Sequence, residues 1–356
     1  MRARRHARAN VPLMTPLLRG FAWALASAIA FGLTTPLVAR FGASLGPWTI
    51  AALLYAGAAL FASPFARDVV PVLSVRRRAL LLGAQAIFGA MLAPAALAYG
   101  LHRTGALGAS LALTMEVPLS IALAALAFRE FVSRRVVVAC IAIVVGAFAL
   151  AIPGANSHAG GIGIAFVVAA TAFWALDNAL ASLLVDVPFA TTVFIKASLG
   201  AAFAALAAVV ARESNIAAWD ALGLVVVGAI GYGASLWMYL RAQRTFGIAR
   251  TASVFAIAPF VGAVLALALG ERTIGPATAF GFIAIAFGAY LHASERHAHP
   301  HLHASDRHEH VHRHDDDHHT HEHLPSFRGE HMHVHDHEPL AHVHAHASDP
   351  DHLHRH

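Results

Sequence analysis

Charge is scarce in this chain. Only 13% of its 356 residues are Asp, Glu, Lys or Arg, against roughly 25% in soluble globular domains. That shortfall excludes an ordinary water-soluble fold for most of the sequence. Lysine is reduced to Lys196 and cysteine to Cys140, so no disulfide can close within the chain and no multi-cysteine metal centre can be built. No G-x-x-x-x-G-K-[ST] run occurs, which removes the usual phosphate cradle of ATP-driven work. Hydrophobic residues fill the space, at 58% of the chain. They form stretches of about 20 residues, long enough to cross a bilayer as helices.

The charges that remain are segregated. Residues 1–292 hold 20 basic and 8 acidic residues, a net +12, whereas 293–356 hold 5 basic and 12 acidic, a net −7, with 22 of the 26 histidines. The sequence pI near 10 therefore reflects arginine-rich loops, which on an apolar chain are topology signals and not a nucleic-acid face. Hydropathy breaks predict ten spans, at 18–39, 46–66, 79–100, 106–128, 135–152, 161–184, 188–211, 219–240, 247–269 and 273–292. The Arg-rich start MRARRHARAN resembles a targeting segment, but the apolar stretch after it is long enough to span and is read as the first helix. Arg2, Arg4, Arg5, Arg8, Arg19, Arg67, Arg76–Arg78, Arg129, Arg134, Arg135, Arg241 and Arg244 fall on one side, leaving Arg40, Arg103, Arg212 and Arg272 on the other. The positive-inside bias puts both termini in the cytoplasm of a bacterial-type inner membrane.

The spans also repeat. Arg103-Thr104, Pro118 and Glu130 recur 141 residues later as Arg244-Thr245, Pro259 and Glu271. Five spans per unit is odd, so the second copy must be inverted relative to the first, an arrangement suited to alternating access. The expected organisation is all-α: a basic segment at 1–17, one five-helix repeat at 18–152, a second at 161–292, and a disordered cytoplasmic tail at 293–356. A bland alternative is two packed helical bundles with no path between them. It accounts for the hydrophobicity but not for the inversion.

Two five-helix units, each ending in a Pro-containing helix followed by Glu and a last helix (APFVGAVLALALGERT in the second), resemble the EamA-type members of the drug/metabolite transporter superfamily. EVPLSIALAALAFREFVSRR, WALDNAL and the His-rich tail resemble one branch of that group. The resemblance covers about 20–292. It implies a ten-helix permease for small organic solutes, with no enzymatic activity and no required cofactor. One departure is that Glu116 is matched by Ile257 in the second copy, so the halves differ chemically.

Three charges lie where lipid should be: Glu116, Asp177 and Lys196. An ionisable group at a helix centre costs about 2.5–3.5 kcal/mol on insertion scales. Asp177 precedes the turn at Val187 by ten residues and Lys196 follows it by nine, so both sit about 13–15 Å from that turn on antiparallel neighbours. Glu116 lies about 18 Å above the cytoplasmic end of its helix, within reach of a lysine stem. Two carboxylates and one ammonium leave one negative charge, which a proton or a cationic substrate can neutralise. A purely structural Asp177–Lys196 pair is the competing reading. Trp174, Asn178, Tyr232, Trp237 and Phe255 are candidate walls for an organic solute. Pro118 and Pro259 are candidate hinges. Gly228, Gly231 and Gly233 permit close helix approach. Glu130 and Glu271, beside Arg129 and Arg272, read as helix caps or local ion pairs.

The tail carries a redundant H-x-H pattern: His331, His333, His335, His337, His342, His344, His346, His352, His354 and His356. Imidazoles and carboxylates suit Zn²⁺, Ni²⁺ or Cu²⁺, but the spacing fixes no set of four, and Pro300, Pro325, Pro339 and Pro350 oppose a continuous helix. An alternative function follows, a divalent metal permease with the tail as collector. The spans disfavour it, because they lack His, Asp or Cys at coordination spacing. The expected partners are a small solute and the bilayer; monomer and homodimer both stay open.

Overall fold

The computed structural model describes residues 16–128, 132–152, 159–184, 186–214, 217–246, 248–271, 275–294, 297–303, 306–312, 331–337 and 340–346. Among these, nine helical runs are long and apolar enough to cross a membrane: α1 Leu18–Phe41, α2 Pro47–Phe65, α3 Arg76–Leu126, α4 Arg134–Ala151, α5 Gly161–Leu184, α6 Phe189–Val210, α7 Ala218–Gln243, α8 Arg250–Ala268 and α9 Pro276–Ala293. Their ends agree with the expected spans to within three residues. The exception is that the spans expected at 79–100 and 106–128 are one run, α3. At 1.5 Å per residue its 51 residues reach about 76 Å, more than twice the roughly 30 Å hydrocarbon thickness. The run is broken at Gly105, whose φ of 77° and ψ of 171° are not helical. A side chain is strained at that φ, and glycine is not.

Helices form because backbone groups away from water must be satisfied internally, and helices do so within each segment. Their packing joins the two halves of the sequence throughout. α1 lies along α7, α2 along α6, α3 along α5 and α8, and α4 along α9. Small residues set these contacts. A Cβ on Gly228 of α7 would run into the Leu54 carbonyl of α2, and one on Gly146 of α4 would meet the Gly281 carbonyl of α9. Lipid tails are as apolar as leucine, so close van der Waals fit drives this association more than hydrophobic burial does.

Four irregularities fall at matching places in the two halves. Wide π turns occupy Ala86–Leu92 in α3 and Ala229–Ala234 in α7. A 3-10 turn at Leu113–Met115 precedes Glu116 and the buried Pro118. A turn at Ala256 and Ile257 precedes Pro259, which stands at the start of the helix Ala258–Ala268. Proline supplies no N–H and starts a helix more easily than it continues one, so both breaks come just before it.

The tail, described by itself, contains β1 His297–His303, β2 Asp306–His312, β3 His331–His337 and β4 Leu340–His346. β1 pairs antiparallel with β4, and β2 with β3. These four segments lie within residues 293–356, the stretch expected to be disordered. A backbone held extended gives the every-second-residue repeat of the H-x-H pattern, and the ladder registers set His299 opposite His344 and His310 opposite His333. The side chains of the tail histidines, and all of His352, His354 and His356, lie outside the described residues, as do the N-terminal arginines up to Arg8 and Glu130.

Candidate functional site

Asp177 sits on α5 and Lys196 on α6, about 10 Å from the ends of those helices at Leu184 and Phe189. The near-equal depth read from the sequence holds: Lys196 Nζ lies 2.5 Å from Asp177 Oδ2. The Asp177 side chain is 4% exposed and that of Lys196 14%, so the pair is almost wholly out of solvent. Asp177 Oδ1 is buried with no hydrogen-bond partner.

Glu116 does not join that pair directly. It begins the helical segment after the break in α3, and its Oε1 accepts from Asn178 Nδ2 at 2.9 Å. Among the described residues its carboxylate has no ion-pair partner. Asp177 and Asn178 are adjacent in sequence, so one turn of α5 carries the carboxylate that pairs with Lys196 of α6 and the amide that binds Glu116. Glu116, Asp177, Asn178 and Lys196 all line one cavity of about 330 Å³.

Aromatic rings form the rest of the wall. Trp174, Tyr232 and Phe255 line the cavity as expected, and Phe31, Tyr55 and Tyr239 join them. The rings make a connected chain. Tyr232 lies 5.4 Å from Tyr55, 6.2 Å from Trp174 and 5.9 Å from Phe31, centroid to centroid. Phe31 then meets Phe255 at 5.4 Å, and Phe255 meets Tyr239 at 5.0 Å. Each such pair contributes about 0.5–1.5 kcal/mol beyond area burial.

Trp237 does not line the cavity. It stacks on Phe65, meets Trp23 edge-on, and carries the Arg241 guanidinium 4.2 Å above its ring. The helical period explains the difference. Trp237 and Tyr239 both lie in the regular helix Ser235–Phe246 and are two residues apart, about 160° round the helix, so the two rings face opposite ways. That period was the signal available for Tyr239.

The wide turn in α3 organises this wall. The Gly89 carbonyl accepts from Tyr55 Oη at 2.7 Å and from Trp174 Nε1 at 3.1 Å. One carbonyl thus anchors the polar tips of two aromatic side chains. A Cβ at Gly89 would also collide with the Asp177 carboxyl group. Gly89→Ala is therefore expected to displace Asp177 from Lys196 and to cost about 1–3 kcal/mol, the usual penalty of overpacking. Thermal unfolding in detergent checks it: a melting temperature equal to that of the unaltered protein contradicts the tight fit.

At the far ends of the helices, two carboxylates hold other helices' starts. Glu213, after α6, accepts from Thr49 N at 2.8 Å, Thr49 Oγ1 at 2.8 Å and Trp48 N at 3.2 Å. Glu271, after α8, accepts from Ala106 N at 2.9 Å and Leu107 N at 3.0 Å, next to the break at Gly105. The cap expected of Glu271 is real but serves a helix 165 residues earlier, not its own. Free N–H groups and the positive end of the helix dipole favour a carboxylate there. At the arginine-rich ends, Arg78 pairs with Asp186 at 2.5 Å, and Thr191 bonds to the Arg67 backbone.

A second hollow, of about 360 Å³, lies between α1 and α7. Leu33, Leu37, Leu222 and Val226 are among its walls, and none of the described residues that line it is ionisable. No group of three or more metal-ligating side chains occurs among the described residues.

Comparison with known proteins agrees with this architecture. The EamA-like transporter family matches twice, over residues 18–152 and 161–294. A solved structure described only as "Crystal structure of protein" is 17% identical, covers 78% of this chain and 98% of its own, and superposes with a TM-score of 0.54. At that identity the likeness is one of fold. No curated protein matches this chain in sequence.

Proposed function

We propose a transport mechanism for this chain, which belongs to the EamA-like transporter family and is a multi-pass membrane transporter of the drug/metabolite superfamily. It moves a small organic solute by alternating access, in exchange for a proton. The observation that carries this reading is the cavity itself, where Glu116, a carboxylate with no ion-pair partner among the described residues, shares one space with a lysine–aspartate pair and six aromatic rings.

The run α3 crosses twice, reversing at Gly105, which brings the number of crossings to ten and inverts the second repeat relative to the first. Crossings then alternate so that the starts of α2 and of the second limb of α3 face away from the cytoplasm. Glu213 and Glu271 close that far face by holding those starts. The cavity lies nearer the arginine-rich, cytoplasmic ends. This is the conformation that receives solute or proton from inside. Pro118 and Pro259, each just after a break, are the hinges. With a break already made, little further helix hydrogen bonding is lost when the segments pivot. Release to the far side requires the Glu271 and Glu213 caps to part.

Support for an organic cargo comes from the walls. Metal transport lacks such support, because Lys196 stands beside the acids and no histidine is among the described residues that line the cavity. Proteoliposomes containing the purified protein test the reading. An imposed pH gradient is expected to drive counter-movement of solutes drawn from a mixed pool of small metabolites, identified by mass spectrometry. Absence of any gradient-driven flux, with correctly folded protein, would falsify it.

Two further outcomes follow. Protein ending at Ser294 is expected to insert and transport, since every proposed crossing and every cavity residue precedes that point. Loss of flux with folding intact would instead make the tail part of the path and favour a metal cargo. Reporters fused after Ser157 and after Arg355 are expected on opposite sides of the membrane, the second in the cytoplasm. The same side for both means that a crossing is miscounted.

A further inference from the structure

We propose that the segment joining α2 to α3 is a docking surface for an anionic phospholipid, with the Arg76 and Arg77 guanidinium groups on its phosphate and Val70 and Leu73 against its acyl chains. This surface needs only a bilayer around the spans, so it stands apart from the solute and its coupling.

The sequence sets the pattern. RDVVPVLSVRRR, residues 67–78, puts valines and a leucine between arginines. Its middle forms a short helix, Val69–Ser74, in which positions three apart share a face. Val69 and Val72 turn one face to the protein. Val72 is 4% exposed and packs with Leu82, Leu184, Val187 and Ile195. Val70 and Leu73 turn the next face outward, and Val70 is 75% exposed. That outward face continues the outer surface of the spans, through Phe65 at the end of α2 and Leu80 near the start of α3, both exposed. Lipid covers the outer surface of a span, so the same acyl chains reach Val70 and Leu73.

The charges then choose the headgroup. Arg78 is spent on Asp186 at 2.5 Å. Arg67, Arg76 and Arg77 remain against Asp68, a net +2. Arg76 and Arg77 are exposed, and their side chains have no ion-pair or hydrogen-bond partner among the described residues. A guanidinium is a planar fork that matches phosphate in two parallel hydrogen bonds. Where the apolar surface of the spans ends, the phosphate at hand is that of a lipid. A zwitterionic headgroup brings its own cation, whereas an anionic one leaves its charge to the arginines. An acidic soluble partner would meet the arginines but leave the apolar face beside them uncovered.

The segment is also tied to the helices that carry the buried ion pair. Thr191 Oγ1 accepts from Arg67 N at 3.0 Å and donates to the Arg67 carbonyl at 2.7 Å. Ile195, packed with Val72, adjoins Lys196 in sequence. A lipid that holds the segment therefore steadies the turn that sets Asp177 and Lys196 at one depth.

The test uses the full-length protein, stripped of lipid in a neutral detergent, with phosphatidylglycerol, phosphatidylcholine and inorganic phosphate as probes. Native mass spectrometry is expected to show phosphatidylglycerol retained at least about fivefold better than phosphatidylcholine. Phosphatidylglycerol should also raise the melting temperature, and inorganic phosphate should not. One arginine near an anionic surface is worth about fivefold in affinity, so Arg76→Gln with Arg77→Gln should lower retention roughly 25-fold. Arg19→Gln with Arg134→Gln removes as much charge from exposed positions at the same arginine-rich end and should leave retention nearly unchanged. Val70→Ser with Leu73→Ser should weaken retention too. Equal losses in the two arginine pairs overturn the proposal, because the attraction is then a diffuse field. Equal retention of phosphatidylcholine overturns it as well, and so does full retention in the serine variant. An equal melting shift from inorganic phosphate replaces the lipid with a free anion. The comparison of the three probes on the unaltered protein decides the matter even where a variant fails to fold.

Discussion

Lys196→Ala is expected to destabilise the protein more than Lys196→Ala combined with Asp177→Asn. The single change leaves Asp177, 3% exposed, with neither of its carboxylate oxygens paired, since Oδ1 already lacks a partner. Removing one member of a buried ion pair typically costs about 3–5 kcal/mol, mostly by stranding the other. The second change converts the stranded carboxylate into a neutral amide of the same shape. An amide still loses a partner, but its desolvation costs far less than that of an ion. Roughly half or more of the loss should be recovered. Melting temperatures in one detergent, for both variants and for Asp177→Asn alone, give the comparison. A double variant no more stable than Lys196→Ala shows that the two side chains are not a coupled unit.

That pairing was the most legible part of the site. The turn between two antiparallel helices acts as a ruler, and counting ten residues back and nine forward from Val187 puts Asp177 and Lys196 at one depth. Pro118 and Pro259 were legible for a similar reason, since a missing N–H acts locally and the repeat supplies its own cross-check. Helix ends were legible from hydropathy.

Other parts depend on information that a one-dimensional pattern does not carry. Nothing about Gly89 in the sequence says that a wide turn will aim its carbonyl at Tyr55 and Trp174. Glu271 looks like a partner for the adjacent Arg272, yet its carboxylate meets Ala106 and Leu107. That contact needs the end of α8 to lie against the break in α3, a relation between elements far apart in the chain. By residue type Trp237 looks the better wall than Tyr239, yet helical angle turns Tyr239 and not Trp237 to the cavity. In the tail, few apolar residues point to disorder while a two-residue alternation also matches an extended backbone, so composition and period point different ways there.

Glu116→Gln is expected to separate folding from coupling. Glutamine is isosteric with the protonated acid, and its carbonyl can still accept from Asn178, so the contact at 2.9 Å survives in neutral form. Stability should therefore stay within about 1 kcal/mol of the unaltered protein, the net worth of an ordinary hydrogen bond. Transport should not. An amide cannot release a proton, so the site is held in the form that the protonated carboxyl would take. In proteoliposomes with acid outside and solute inside, the unaltered protein should speed solute efflux as the inward proton gradient steepens. The variant should lose at least tenfold of that gradient-driven flux and respond flatly to pH. Lys196→Ala fails in the opposite order, through stability first, so the two variants together separate the group that holds the site from the group that works it. A Glu116→Gln protein that keeps the full gradient response moves the coupling role elsewhere. Asp177 is then the remaining acidic residue among those that line the cavity, and its partner Lys196 would have to let go for it to act.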